Sequence, residues 1–382
     1  MTRILTPLLP LLLAGFIFTG CGIKPNQKTG TSASISKIPF GVTKDGIAID
    51  KYTVSNKNGM KMSVINYGGI ITSLLAPDKN GVFEDMVLGF DSLSQYEKGS
   101  PFFGALVGRF GNRIANGQFT LDGKTYTLAK NNGQNHLHGG VKGFDKVVWT
   151  ISEFPSKEGK ALKLTYLSKD MEEGYPGNLN VEVMYTLTDA NELKISYRAT
   201  TDKKTVLNLS QHSYFNLSGN VKQNVLDHLL TLNADQFLPV ERSIPTGELR
   251  KVEGTPFDFR NPTPIGSRIG DTDEQLKAGS GYDHCWVLNR TGQSGLQKAA
   301  TVYEPVSGRL LEVTTTEPAI QFYSANFLNA TGKGGIKYGR RSGLCLETQH
   351  YPDSPNQKSF PSVELSPGEI FQSQTVFKFS VR

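Results

Sequence analysis

Glu192-Leu193-Lys194-Ile195-Ser196-Tyr197 alternates polar and apolar residues without a break, and this short run decides the fold class. Successive side chains of an extended chain point to opposite faces, so the run has one apolar face and one wet face. The same alternation returns at Met60 to Tyr67, Ala161 to Tyr166 and Val376 to Val381. Asn58-Gly59, Asn80-Gly81, Asp122-Gly123 and Ala190-Asn191 punctuate these runs. They are residues that tolerate the positive φ of tight hairpins. Helical signals are confined to Ser92 to Lys98 and Asp273 to Lys277. Many short strands with so little helix predict an all-β fold, a large antiparallel β-sandwich, as a single domain over residues 38–382.

A chain of 382 residues is long enough to bury a sizeable core. Its 41 basic and 35 acidic residues leave an excess of +6, slight for this length. No five like charges stand together, so no nucleic-acid partner is expected.

The first residues read differently. Arg3 precedes a nearly apolar stretch from Ile4 to Phe18, broken by Thr6, Pro7, Pro10 and Gly15. That is too short and too interrupted for a spanning helix, and it has the form of a secretory signal. Phe18-Thr19-Gly20-Cys21 resembles the bacterial lipobox, in which the cysteine is acylated and becomes the new N-terminus. Residues 1–20 are therefore expected to be a lipoprotein-type signal peptide, with Cys21 the lipidation site and 21–37 a flexible Ser/Thr/Gly/Lys/Asn-rich tether. The expectation is an exported, bacterial, membrane-anchored protein facing the periplasm or the cell exterior. Cys285 and Cys345 then remain either for one disulfide or as buried thiols, and we read them as buried thiols.

Five segments break the strand pattern, which is where a functional site is expected. Gly108-Arg109-Phe110-Gly111-Asn112-Arg113-Ile114 offers two arginines and an amide as a hydrogen-bonding floor. Asn135-His136-Leu137-His138-Gly139-Gly140 would place both histidines on one face if extended. Val141 and Lys142 stand where a metal site would want a carboxylate, so no metal is expected. Asn208-Leu209-Ser210-Gln211-His212-Ser213-Tyr214-Phe215-Asn216-Leu217 joins an imidazole to aromatic surface, while the elbow of a serine hydrolase is missing. Gly281-Tyr282-Asp283-His284-Cys285-Trp286 is the fourth segment. The fifth, Gly343 to Pro352, sets Glu347 in an apolar strand where an unpartnered carboxylate is costly.

In this order the five segments resemble the aldose 1-epimerase, or galactose mutarotase, family from about Phe40 to the end. The resemblance implies a β-sandwich with an open cleft, and interconversion of the α and β anomers of aldohexoses such as glucose and galactose without a cofactor. By the same resemblance Glu347 is the general base and His212 the general acid. His138, Arg113, Asn112, Asp283 and Gln321 bind the sugar, and Tyr214 with Phe215 forms an apolar wall. Ring opening needs one proton taken from the C1 hydroxyl and one given to the ring oxygen. Glu347 and His212 are thus expected to face each other across a gap the size of one pyranose. Glu347 should be ionised, and a nearby carboxylate should keep His212 protonated. A non-catalytic, lipid-anchored sugar-binding protein and a hexose-6-phosphate 1-epimerase stand as alternatives.

Overall fold

The computed structural model describes residues 1–2, 32–292 and 294–382. Cys21, residues 3–20 of the expected signal peptide and most of the expected tether lie outside these residues. Strands dominate, and every ladder between them is antiparallel. Nine strands form the largest sheet. Its spatial order is Thr150–Phe154, Gly159–Ser168, Leu179–Thr188, Glu192–Thr201, Phe371–Val381, Arg309–Thr315, Gln297–Tyr303, Leu229–Leu232 and Thr263–Pro264. All four runs quoted for their alternation lie on or over observed strands; Glu192–Thr201 buries every second residue along its length.

A six-stranded sheet runs Tyr214–Phe215, Leu344–Gln349, Ala319–Tyr323, Asp283–Val287, Gln236–Leu238 and Arg250–Lys251. One of its faces carries Leu344, Leu346, Ile320, Phe322 and Trp286. These pack into one buried cluster with Leu164, Val183, Ile195, Val313 and Phe377 of the larger sheet. Phe215 meets Phe377 across this layer with ring centroids 5.3 Å apart. The apolar face of each sheet therefore has a partner, which is what a sandwich requires.

A five-stranded meander from Ser34–Val42 to Phe83–Asp85 adds Val54, Met62 and Leu74 to the same core. Its first strand begins inside the stretch expected to be tether. Ser34 pairs with Ser55, and Ile35 packs on the core while its Ser and Lys neighbours face water. A polar edge strand and a polar linker have the same composition, and only the register separates them. Both helical readings hold: Leu93–Lys98 follows Ser92 as N-cap, and Asp273 caps Glu274–Gly279 by accepting from the Gln275 and Leu276 amides.

Candidate active site

The second face of the six-stranded sheet carries the polar residues. Register sets Glu347 beside Gln321 and Gln321 beside Cys285. The next row holds Tyr214, Cys345, Tyr323 and Asp283. Period-two geometry thus places Asp283, Gln321 and Glu347 on one face, on three neighbouring strands. Glu347 is only 2% exposed, because loops from three other segments cover it.

The covering pieces are tied to the sheet by buried hydrogen bonds. Ser210–His212 pairs with Ala105–Val107, and the Ser210 hydroxyl donates to the Thr348 carbonyl at 2.9 Å. That bond hangs His212 over Glu347, with Nε2 3.6 Å from Oε1. Asn208 donates through Nδ2 to the Gly111 carbonyl and accepts from the His350 amide through Oδ1. Asp353 donates its amide to the Arg113 carbonyl and accepts from the Ala115 amide. The tail of the fifth segment therefore braces the first.

His138 follows the short pairing of His136–Leu137 with Arg113–Ile114. Its backbone turns into the left-handed region at φ 49°. The Asn112 amide donates to His138 Nδ1 at 3.1 Å, and the His138 amide donates to the Asn112 carbonyl at 3.0 Å. With Nδ1 accepting, the neutral ring carries its proton on Nε2. Gly139 is required here, since a Cβ would lie 1.8 Å from the Gly108 carbonyl oxygen.

His138, His212 and Glu347 offer ligand atoms within 4.8 Å of one another. That spread is looser than the roughly 3.4 Å edges of a tetrahedral site with ~2.1 Å bonds. The two rings stand nearly perpendicular, centroids 5.2 Å apart. Phe102, with φ 65°, packs on both, at 4.6 Å and 5.6 Å. Tyr214 covers His212 at 5.1 Å, whereas Phe215, expected beside it in an apolar wall, turns to the other face and packs on Phe377 in the core. Arg113 Nη2 lies 3.8 Å from Asp283 Oδ2, and Gln321 donates to Asp283 Oδ1 at 2.7 Å. Two buried oxygens, Glu347 Oε2 and Gln321 Oε1, have no hydrogen-bond partner among the described residues. Burying an oxygen without a partner is unfavourable, and a ligand's hydroxyls would relieve it.

Several expectations change. Arg109 is no part of the floor: it is buried against the carbonyls of Ser168, Lys169, Pro176 and Gly177. His136 does not share a face with His138, because the left-handed turn intervenes; it bonds instead to the Ala129 carbonyl and Tyr175 hydroxyl. Asn112 bonds His138 through its backbone and accepts the Arg113 amide through Oδ1, bracing its neighbours, and it lines the same recess as Arg113, Asp283 and Gln321. Cys285 and Cys345, by contrast, are free buried thiols as read from the sequence, held apart by the strand between them. Glu347 and His212 do not straddle a pyranose-sized gap but converge on one point.

Their ionisation differs too. Burial first, and then the charge of Asp283, pushes Glu347 up to about 8, against the opposing pull of Arg113. Burial pushes His212 down to about 4. Desolvation outweighs the mutual attraction that would have charged both. Between these values the pair holds one proton, on Glu347. The residues that sequence reasoning missed are Phe102, which nothing in Ser100-Pro101-Phe102-Phe103 marks, and Cys345 as a neighbour of the acid. Cys345 Sγ lies 3.6 Å from His212 Nδ1.

An antiparallel β-sandwich bearing a buried carboxylate–imidazole pair, flanked by Arg, Asp and Gln side chains, defines a protein with a site equipped for acid–base chemistry. The family profile described as aldose 1-epimerase matches residues 50–378. A galactose mutarotase of Bos taurus is 47% identical over 354 residues, 92% of this chain and 98% of the relative. An aldose 1-epimerase of Escherichia coli (strain K12) is 40% identical over 339 residues, 88% of this chain and 96% of the relative. Among solved structures, galactose 1-epimerase from Lactobacillus acidophilus NCFM superposes with a TM-score of 0.81 at 32% identity, covering 92% of this chain and 99% of that one. The chain belongs to the aldose 1-epimerase family.

Proposed function

We propose that the protein is an aldose 1-epimerase that interconverts the anomers of free aldohexoses by general acid–base catalysis. The observation that carries this reading is the 3.6 Å His212–Glu347 pair with Glu347 Oε2 unpartnered beside it. The C1 hydroxyl and the ring oxygen are bonded to the same carbon. An acid and a base side by side therefore suit them better than two groups across a wide gap.

In the proposed reaction the carboxylate of Glu347 takes the hydroxyl proton and Nε2 of His212 delivers one to the ring oxygen. The ring opens to the aldehyde, C1–C2 rotates, and the same two groups reclose it with roles reversed. Asp283, Gln321 and Arg113 hold the remaining hydroxyls, and the Nε2–H of His138 donates beside the ring oxygen. Hydrogen bonding from the sugar's C1 hydroxyl favours the ionised carboxylate, so substrate binding shifts the shared proton toward His212.

One proton on the pair is the active state whichever partner holds it. Below about 4 both groups are protonated and no acceptor remains; above about 8 neither is and no donor remains. The profile of kcat/KM should be bell-shaped, with limbs near those values.

A sugar-binding protein without chemistry has no use for this costly buried pair. A hexose-6-phosphate epimerase would need unengaged basic groups, whereas Arg113 already faces Asp283 and Asn132, and Lys146 faces Asp145. Unphosphorylated sugars are the better fit. The test is polarimetry of freshly dissolved α-glucose and α-galactose with purified protein. Acceleration of the drift to equilibrium supports the reading, and a trace identical to the buffer control defeats it.

We infer further that the protein is exported and anchored through acylated Cys21. The support is the basic start, the short apolar run and the Phe18–Cys21 segment. Fractionation of cells expressing Cys21→Ser tests it. The variant should leave the membrane fraction, and retention there would contradict the anchor.

A further inference from the structure

Phe102 holds a backbone conformation that bulky residues avoid, the left-handed region at φ 65°. Strain of this kind persists only where the surroundings over-determine it. Here they do. Phe103 is buried against Phe90 and Tyr214, and its amide donates to the Ser100 hydroxyl. On the other side the Gly104 amide donates to the His212 carbonyl, and the Gln211 side chain donates to the Gly104 carbonyl. The loop is tied at both ends, with the Phe103 ring in the core and the Phe102 ring at the site.

That ring has two kinds of neighbour. It packs on both imidazoles, 4.6 Å from His138 and 5.6 Å from His212, centroid to centroid. It also carries a cation, since Lys146 Nζ lies 5.5 Å from its centroid. Asp145 fixes the ammonium there, with Oδ2 2.8 Å from Nζ. Asp145 is itself buried on the short turn Phe144–Lys146, whose first amide donates to the Gly108 carbonyl. A cation held over an aromatic face attracts it, so Lys146 clamps the ring onto the histidines.

We propose that Phe102 is a positioning residue of the reaction: clamped by Lys146, its ring keeps water off the imidazoles of His138 and His212 and off the carboxylate beside them. This assignment rests on the epimerase reading above and deepens it. Burial is the first cause of the lowered His212 value and of the raised Glu347 value. The charged and titratable groups facing the site come from other elements. Asp283 and Arg113 act on Glu347. Cys345, Tyr214, His138 and Glu347 itself stand against His212. Arg113, Lys146 and His136 act on His138. Ser100 to Gly104 carries no titratable side chain, so Phe102 acts on the pair through access of solvent alone.

The test is the pH profile of kcat/KM for glucose mutarotation, followed by polarimetry. Phe102→Ala should raise the acid limb and lower the basic limb by about one unit each, narrowing the bell from both sides. Phe102→Tyr keeps an aromatic cover and should keep both limbs in place. Lys146→Met, at a partly exposed position, should move the limbs inward by less, and Lys146→Arg should restore them. Were Lys146 acting on the site by its charge, its loss would move both limbs upward together. That result, or limbs that stay in place in Phe102→Ala or Lys146→Met while the rate falls, would overturn the assignment and leave the epimerase reading standing. No acceleration by the unaltered protein at any pH would instead remove that reading.

Discussion

Two strands show how differently core and site are built. Glu192–Thr201 in the nine-stranded sheet has one wet face and one core face, and its burial alternates residue by residue. Leu344–Gln349 in the six-stranded sheet is buried at all six positions. Its Leu344 and Leu346 enter the sandwich core, while Cys345, Glu347 and Gln349 face the covered cleft. In the first strand polarity follows water. In the second, polar groups are buried where they destabilise the fold, and chemistry is what explains their presence.

The sharpest way to break this contrast is to neutralise the polar face alone. Glu347→Gln keeps shape and removes the base, and His212→Asn removes the acid. Each should lower polarimetric mutarotation by about 10²- to 10⁴-fold, the usual range for one proton-transfer partner. A near-normal rate in either would mean that the buried pair is not the catalytic one.

Stability should respond the other way round. Leu346→Ala empties a fully packed position, 1% exposed, and should lower unfolding free energy by about 2–5 kcal/mol in denaturant titrations. Glu347→Gln should raise it by roughly 1–3 kcal/mol near neutral pH, the smaller effect. The sign follows from the carboxyl's value of about 8 in the folded protein against 4.5 when unfolded. The neutral form's contribution is complete below about 4.5 and is lost as pH rises through about 8. The variant's advantage should therefore be absent near pH 4.5 and grow to about pH 8. An advantage that does not vary with pH would mean that Glu347 is not buried as an acid.

The same contrast explains how far the sequence could be read. Strands such as Gly159–Ser168 were legible because one face meets water and period two survives. The polar site residues were legible only through the resemblance of five segments to a family. Their common face comes from the pairing of Asp283–Val287, Ala319–Tyr323 and Leu344–Gln349, each separated in sequence by a long excursion. Ionisation was misread for a related reason. The Glu347 and His212 values are set by burial, which depends on loops such as Phe102 and Gly139 closing over them. Arg109 and Arg113 look equivalent four residues apart, yet one clamps carbonyls and the other faces Asp283.

The smallest expected effect lies at Cys345, where core and site meet. Its thiol is fully buried, 3.6 Å from His212 Nδ1, and burial first, then the charges of Glu347 and Asp283, hold it as a thiol. A thiol is a weak donor and a weak acceptor. It can donate to Nδ1 of neutral His212, which leaves the proton on Nε2, or accept from Nδ1 once the ring is protonated. Either way the acid keeps its Nε2 aimed at Glu347 throughout the cycle. Cys345→Ala removes this contact and should lower kcat about three- to tenfold, the worth of one modest hydrogen bond, with KM little changed. Cys345→Ser restores a hydroxyl that both donates and accepts, and should recover part of the loss. Equal damage from both substitutions, with KM rising in step, would mark Cys345 as packing alone and place the boundary between core and site one residue nearer to Glu347.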